Sequence, residues 1–256
     1  MSPFVAPPVF SDAPVQGSDI WHTTIGPDLV ERKALCRERF AASRETRYAE
    51  WAEKHGTTPE ELQTLASQTA QQLTQAPVAL QVPSEDLASI LTHGFLTQFH
   101  TGVSNGVYKP WRRIDVEYLM LGMDPSVPAD DRPRYGYLDL PGVDLDAAGY
   151  GDTTLVLKED VKARSTWCAG DSFNETYTVR VSGFDTPDGD ALLSQNLEDA
   201  PHATAWDGTI NAYCEVQVKG AVTCDDIAYV RGPEHIRALV EAAGLRWEPS
   251  TTSIAA

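Results

Sequence analysis

The sequence predicts an α+β domain with a helical hairpin in front of it. Three observations carry this. From Ile210 to Lys219 and from Thr153 to Lys158 the residues alternate with period two, the signature of strands. Between about Pro27 and Leu73, and again from Trp111 to Leu121, apolar residues recur at helical spacing instead. Between these blocks lie Pro- and Gly-rich turns rather than long linkers.

Residues 1–17 carry Pro3, Pro7, Pro8 and Pro14 and read as an extended arm. Residues 18–77 form the hairpin. Leu29, Val30, Leu35, Phe40, Tyr48 and Trp51 supply one apolar stripe, and Gly56 stops the first helix. Thr58-Pro59-Glu60-Glu61 then places a cap, a proline at the first helical position and a Glu three residues after the cap. The pair serves packing or a partner surface; nothing in it carries catalytic chemistry. Residues 78–247 form the main domain, and 248–256 a Ser/Thr-rich tail.

Within that domain Val78–Val82 is a short strand. Ser84 caps a helix that Gly94 closes. Gln98 to Gly106 is a turn-rich loop. Lys109, Arg112 and Arg113 stand at the start of the next helix, where positive charge opposes the macrodipole. They suit an anionic partner or a solvated basic patch. Thr176–Val181 reads as a strand, Asp185 to Gly189 as a turn, Ile227–Val230 as a strand, and Pro233 opens a helix that Gly244 ends. On the strand from Ile210, Ala212, Cys214, Val216 and Val218 share one face. Tyr213, Glu215, Gln217 and Lys219 share the other, which is either a solvated outer face or the polar row of a cleft.

The net charge of −17 argues against non-specific nucleic-acid binding, which needs Lys and Arg to displace counterions. No apolar run approaches the roughly 18 residues of a membrane span. The cysteines Cys36, Cys168, Cys214 and Cys224 lack zinc-ligand spacing, so no metal is expected. Free thiols are expected, with a Cys214–Cys224 disulfide the open alternative. Neither a Gly-rich phosphate loop nor HExxH occurs. A nuclease or phosphotransferase built on His93 and His100 is conceivable, but the acidic chain lacks the basic strip a nucleic-acid substrate needs.

Several blocks carry a resemblance: Gln98-Phe-His-Thr-Gly-Val-Ser-Asn-Gly106, Arg132-Pro-Arg-Tyr-Gly136, Tyr150-Gly151 through Leu157-Lys158, and Arg164-Ser-Thr-Trp167 through Gly170-Asp-Ser172. Tyr213-Cys-Glu-Val-Gln-Val218 and Gly220 to Ile227 complete the set. In this order they resemble ADP-ribosyltransferase-like domains attached to MuF-like head proteins of phages that infect actinobacteria, over roughly Val78 to Val230. The resemblance implies a split β-sandwich with flanking helices and, as substrate, NAD held in a cleft. The activity it implies is mono-ADP-ribosyl transfer to a host macromolecule. In that scheme Glu215 stabilises the oxocarbenium ion left as nicotinamide departs, and Gln217 or Tyr213 orients the acceptor. Tyr135, Gly136, Arg132 or Arg134, Ser165, Thr166 and His100 would seat the dinucleotide. Tyr135 reads equally as a core aromatic or as the ring stacked on nicotinamide. His100 stands where the family loop has Glu, and Gln81 is the only polar residue where the family's first strand carries Arg or His. His202 and Trp206 would border the cleft. The implied location is a host cytoplasm or a virion. The rivals are a phage head protein that keeps the fold without the chemistry, associating with other head proteins, and a small-ligand binding domain.

Overall fold

A computed structural model describes residues 44–103, 109–140, 150–173, 181–185, 187–193 and 213–250. The architecture is α+β, with an eight-stranded mixed sheet and several helices. The expectations for the arm, for 18–43, for most of Thr176–Val181, for His202 and Trp206 and for the end of the tail fall outside the described residues. The chain divides into two compact units, one of residues up to 75, 111–127 and 166–215, the other of 76–110, 128–165 and 216–256.

The first unit begins with helix α1 (44–55), which Gly56 ends at φ 66°. Helix α2 (Pro59–Leu73) follows, and its capping box is complete. The Glu61 N–H donates to the Thr58 hydroxyl, and the Thr58 N–H donates to the Glu61 carboxylate. Tyr48, Leu62 and Ala66 form one apolar cluster with Trp51 against it. Helix α5 (Pro110–Leu121) buries Val116, Met120 and Leu121 with Met123, Val127, Cys168 and Val181. Helix α6 (Gly189–Leu193) lies close against α2, where a Cβ on Gly189 would stand 2.9 Å from the Ser67 nitrogen. Asp190 anchors α1 to it. The Tyr48 hydroxyl donates to the carboxylate at 2.7 Å and Arg44 Nε sits 3.0 Å from it. Burial, then the neighbouring Asp190 charge, raises the Tyr48 phenol pKa. Strand β4 (Ser165–Ala169) pairs antiparallel with β5 (Ser182–Gly183).

The second unit contains β1 (Val78–Val82), β2 (Arg134–Leu138), β3 (Thr153–Leu157), β7 (Ile227–Gly232) and β8 (Arg246–Pro249) in the order β2-β1-β3-β7-β8. The first four pair antiparallel, and β7 runs parallel to β8. Parallel neighbours need a crossover, here helix α7 (Arg237–Ala242). Val78, Leu80 and Val82 line one face with Leu138, Leu155 and Val230, all buried. The register sets Gln81 opposite Thr154, and Gly151 beside them packs on β1 so tightly that a Cβ would lie 2.1 Å from the Val82 carbonyl carbon.

Three sequence expectations change here. Ser84 makes no side-chain cap; it begins a short 3-10 turn ahead of helix α3 (Leu87–His93), and its N–H is answered by the Asp152 carboxylate at 2.8 Å. The stretch beginning at Arg246, read as the domain's end and a loose tail, is instead a strand. Its short alternation of charged and aromatic residues was too brief to stand out from a loop. The Gln98 segment forms one short helix, α4 (Gln98–Thr101), ended by Gly102 in the left-handed region.

Candidate functional site

Strand β6 (Cys214–Val218) is buried at every position, so its polar row is not a solvated face. Glu215 is 2% exposed. In the first unit its carboxylate accepts a short hydrogen bond from the Ser172 hydroxyl, itself fully buried. Arg113 Nη1, from α5, donates to the same Ser172 oxygen at 3.2 Å. The guanidinium carbon of Arg113 stands 4.8 Å from the centre of the Phe173 ring, and Arg112 donates to the Phe173 carbonyl at 3.2 Å.

The local sequence explains why Ser172 arrives there. Gly170 adopts φ 83°, open to glycine at no steric cost, and its N–H donates to the Tyr213 carbonyl at 2.8 Å. The Asp171 carboxylate then accepts the Phe173 N–H at 2.8 Å, which closes a tight turn. These bonds tie the turn to the residues before Glu215. A buried carboxylate is costly unless hydrogen bonds and a cation answer it. Ser172 supplies the first and Arg113, one hydroxyl away, the second. Cys214, next along the strand, is a free thiol whose pKa burial pushes up to about 12, so it is protonated at neutral pH. Cys168 and Cys224 are free as well, which settles the open question of a Cys214–Cys224 disulfide. Tyr213 is half-buried, and Gln217 and Thr166 are fully buried.

In the second unit, His100, Arg132 and Arg134 come together. The Arg132 guanidinium lies over the Phe99 ring, 4.5 Å from its centre. Arg134 is 3% exposed and donates from Nη1 to the Asp130 carbonyl at 2.6 Å and the Arg132 carbonyl at 2.9 Å. Burial lowers its pKa, with Asp130 acting in the opposite sense. His100 bridges Thr97 and Asp130, each at 2.8 Å. The buried Ser165 hydroxyl donates to the Val161 carbonyl at 2.8 Å. Tyr135 is half-buried. Gly136 has a structural reason to be glycine, since a Cβ would stand 2.4 Å from the Ala79 carbonyl oxygen.

Gln81 is held on three sides. Its Oε1 accepts from the Tyr137 and Thr154 hydroxyls at 3.0 Å each, and its Nε2 donates to the Gly151 carbonyl at 2.8 Å.

Sequence reasoning missed Ser172 and Arg113 as the partners of Glu215. The Gly-Asp-Ser run and the unfavourable arginines at the head of α5 were the available signals. Among the described residues no group of His, Cys, Asp and Glu is arranged to hold a metal ion, and no helix is long and apolar enough to cross a membrane. No protein-family model matches the chain, and no curated protein matches it either.

Proposed function

We propose that the chain is an NAD-dependent mono-ADP-ribosyltransferase with the split β-sandwich of that class, phage-encoded and acting on a host macromolecule. One observation supports this beyond the resemblance: the Glu215 carboxylate is buried yet kept, held by Ser172 with Arg113 behind it. A fixed carboxylate stabilises positive charge without solvent reorganisation. In the reaction the bond from the ribose C1′ to the nicotinamide nitrogen breaks and its electron pair leaves with neutral nicotinamide. The sugar carbon, now cationic, takes a lone pair from the acceptor nucleophile, which gives up its proton. Glu215 faces the cation, and Gln217 or Tyr213 orients the acceptor. Tyr135, Gly136, Arg132, Arg134, Ser165, Thr166 and His100 form the set from which the dinucleotide contacts come. Arg134 and Ser165 bind backbone carbonyls, and Tyr135 is half-buried.

The test is incubation of the purified chain with labelled NAD and host lysate. Glu215→Gln, which keeps the shape and removes the charge, is expected to lower NAD consumption and labelling by about 10²–10³-fold. If the native protein consumes no NAD, or the variant matches it, the reading is wrong.

A second reading is favoured by the burial of Glu215, only 2% exposed, and of Gln217, fully buried. It is a virion structural protein that keeps the fold without the chemistry. Stoichiometric copies in particles, with no NAD-dependent labelling, would select it. The first reading puts the protein in the host cytoplasm and the second in the virion.

A further inference from the structure

We propose that Thr97, His100 and Asp130 form a second reactive site, in which the imidazole activates the threonine hydroxyl to accept an acyl group from a small ester or thioester. All three residues lie in the second unit, and the inference does not rest on the role given to Glu215. Thr97 Oγ1 is 2.8 Å from His100 Nδ1, and His100 Nε2 is 2.8 Å from Asp130 Oδ1.

The carboxylate fixes the tautomer. An ionised Asp130 only accepts, so the neutral ring carries its proton on Nε2 and its lone pair on Nδ1. That lone pair meets the Thr97 hydroxyl, which therefore donates. Hydroxyl, imidazole and carboxylate stand in the order of nucleophile, base and orienter. Thr97 precedes α4, where a threonine side chain ordinarily accepts a backbone N–H of the first turn; it makes no such bond here. Leu96 and Val103, exposed at 45% and 64%, flank the turn and offer apolar surface to an acyl chain. Thr97 itself is 4% exposed, which restricts the donor to slim acyl groups such as acetyl.

The step balances. Thr97 Oγ1 bonds to the carbonyl carbon, and its proton passes to His100 Nδ1. The carbon–oxygen or carbon–sulfur bond to the leaving group breaks, and the departing anion takes the electron pair. The imidazolium returns its proton to that anion or to water, leaving a Thr97 ester and a neutral ring. Asp130 acts through His100 and is a positioning residue.

The experiment exposes the full chain to p-nitrophenyl acetate and locates acetyl groups by peptide mass spectrometry. Acetyl on Thr97 is expected, retained in Thr97→Ser and absent at this position in Thr97→Val. His100→Gly should slow labelling of Thr97 by about 10²-fold, with recovery on adding free imidazole. Asp130→Asn should slow it by a smaller factor and Asp130→Glu restore it. Acetylation confined to surface lysines, or Thr97 labelling unchanged in His100→Gly, overturns the proposal.

Discussion

Gln81 and Glu215 each stand on a strand whose neighbours are mostly apolar and buried, yet their surroundings answer them differently. Gln81 spreads a neutral amide over the Tyr137 hydroxyl of β2, the Thr154 hydroxyl of β3 and the Gly151 carbonyl. Those bonds stitch β1 to both its neighbours. Glu215 is a carboxylate, and its answer is a serine hydroxyl with an arginine behind it. A neutral amide with three partners stabilises a sheet directly. A buried charge costs several kcal/mol to desolvate even when paired, and apolar replacements often match or exceed such pairs in stability. Stability alone explains Gln81; the proposed function gives Glu215 a further, chemical use.

The largest structural effect is expected where the Gln81 network meets its tightest packing. Gly151 has φ 128°, and a Cβ there would lie 2.1 Å from the Val82 carbonyl carbon and 2.2 Å from its oxygen. Backbone cannot step aside as a flexible side chain can. Gly151→Ala should destabilise the second unit by about 3 kcal/mol or more, seen as a lower urea midpoint and faster amide exchange along β1. A midpoint unchanged from the native protein would break the account of this turn.

Gln81→Leu comes next, at about 2 kcal/mol, because it leaves the Tyr137 and Thr154 hydroxyls without their acceptor. Adding Tyr137→Phe removes one orphan, so the double variant should recover part of the loss. The comparison is sharpest in activity. Gln81→Leu should leave NAD consumption per folded molecule intact, whereas Glu215→Gln should remove it. If both lose activity alike, the two side chains do not divide into structure and chemistry.

How much was legible beforehand follows from the range of the forces involved. The box at Thr58 and the stop at Gly56 were readable because each is made within a few residues. The alternation of β3 and β6 was readable for the same reason. That β6 is buried on both faces was not, since period two cannot say what packs against a polar row. Ser172 and Arg113 lie 43 and 102 positions from Glu215 in the chain, and only the folded arrangement of β6, α5 and the Gly170 turn joins them. Glu215 itself was found through resemblance, not periodicity, and Asp130 as the partner of His100 was not found at all.

A third side chain, again a carboxylate, extends the comparison to the surface. Glu61 is exposed, and its pKa is held below the ordinary carboxylate range by hydrogen bonds from the Thr57 hydroxyl, then the Thr58 N–H and the Thr58 hydroxyl. A folded-state pKa below the unfolded one means that the group adds stability above about pH 4.3, the unfolded value for Glu. That stability fades as pH falls through the lower folded value, where the protonated acid gives up its role as a charged acceptor. The native protein should therefore outlast Glu61→Gln in thermal unfolding at pH 6, and the gap should close toward pH 3. The effect is the smallest of these because solvent competes for every bond in the box. A gap that stays constant across this range would mean that the cap works through geometry alone, and that charge matters here only where, as at Glu215, water has been removed.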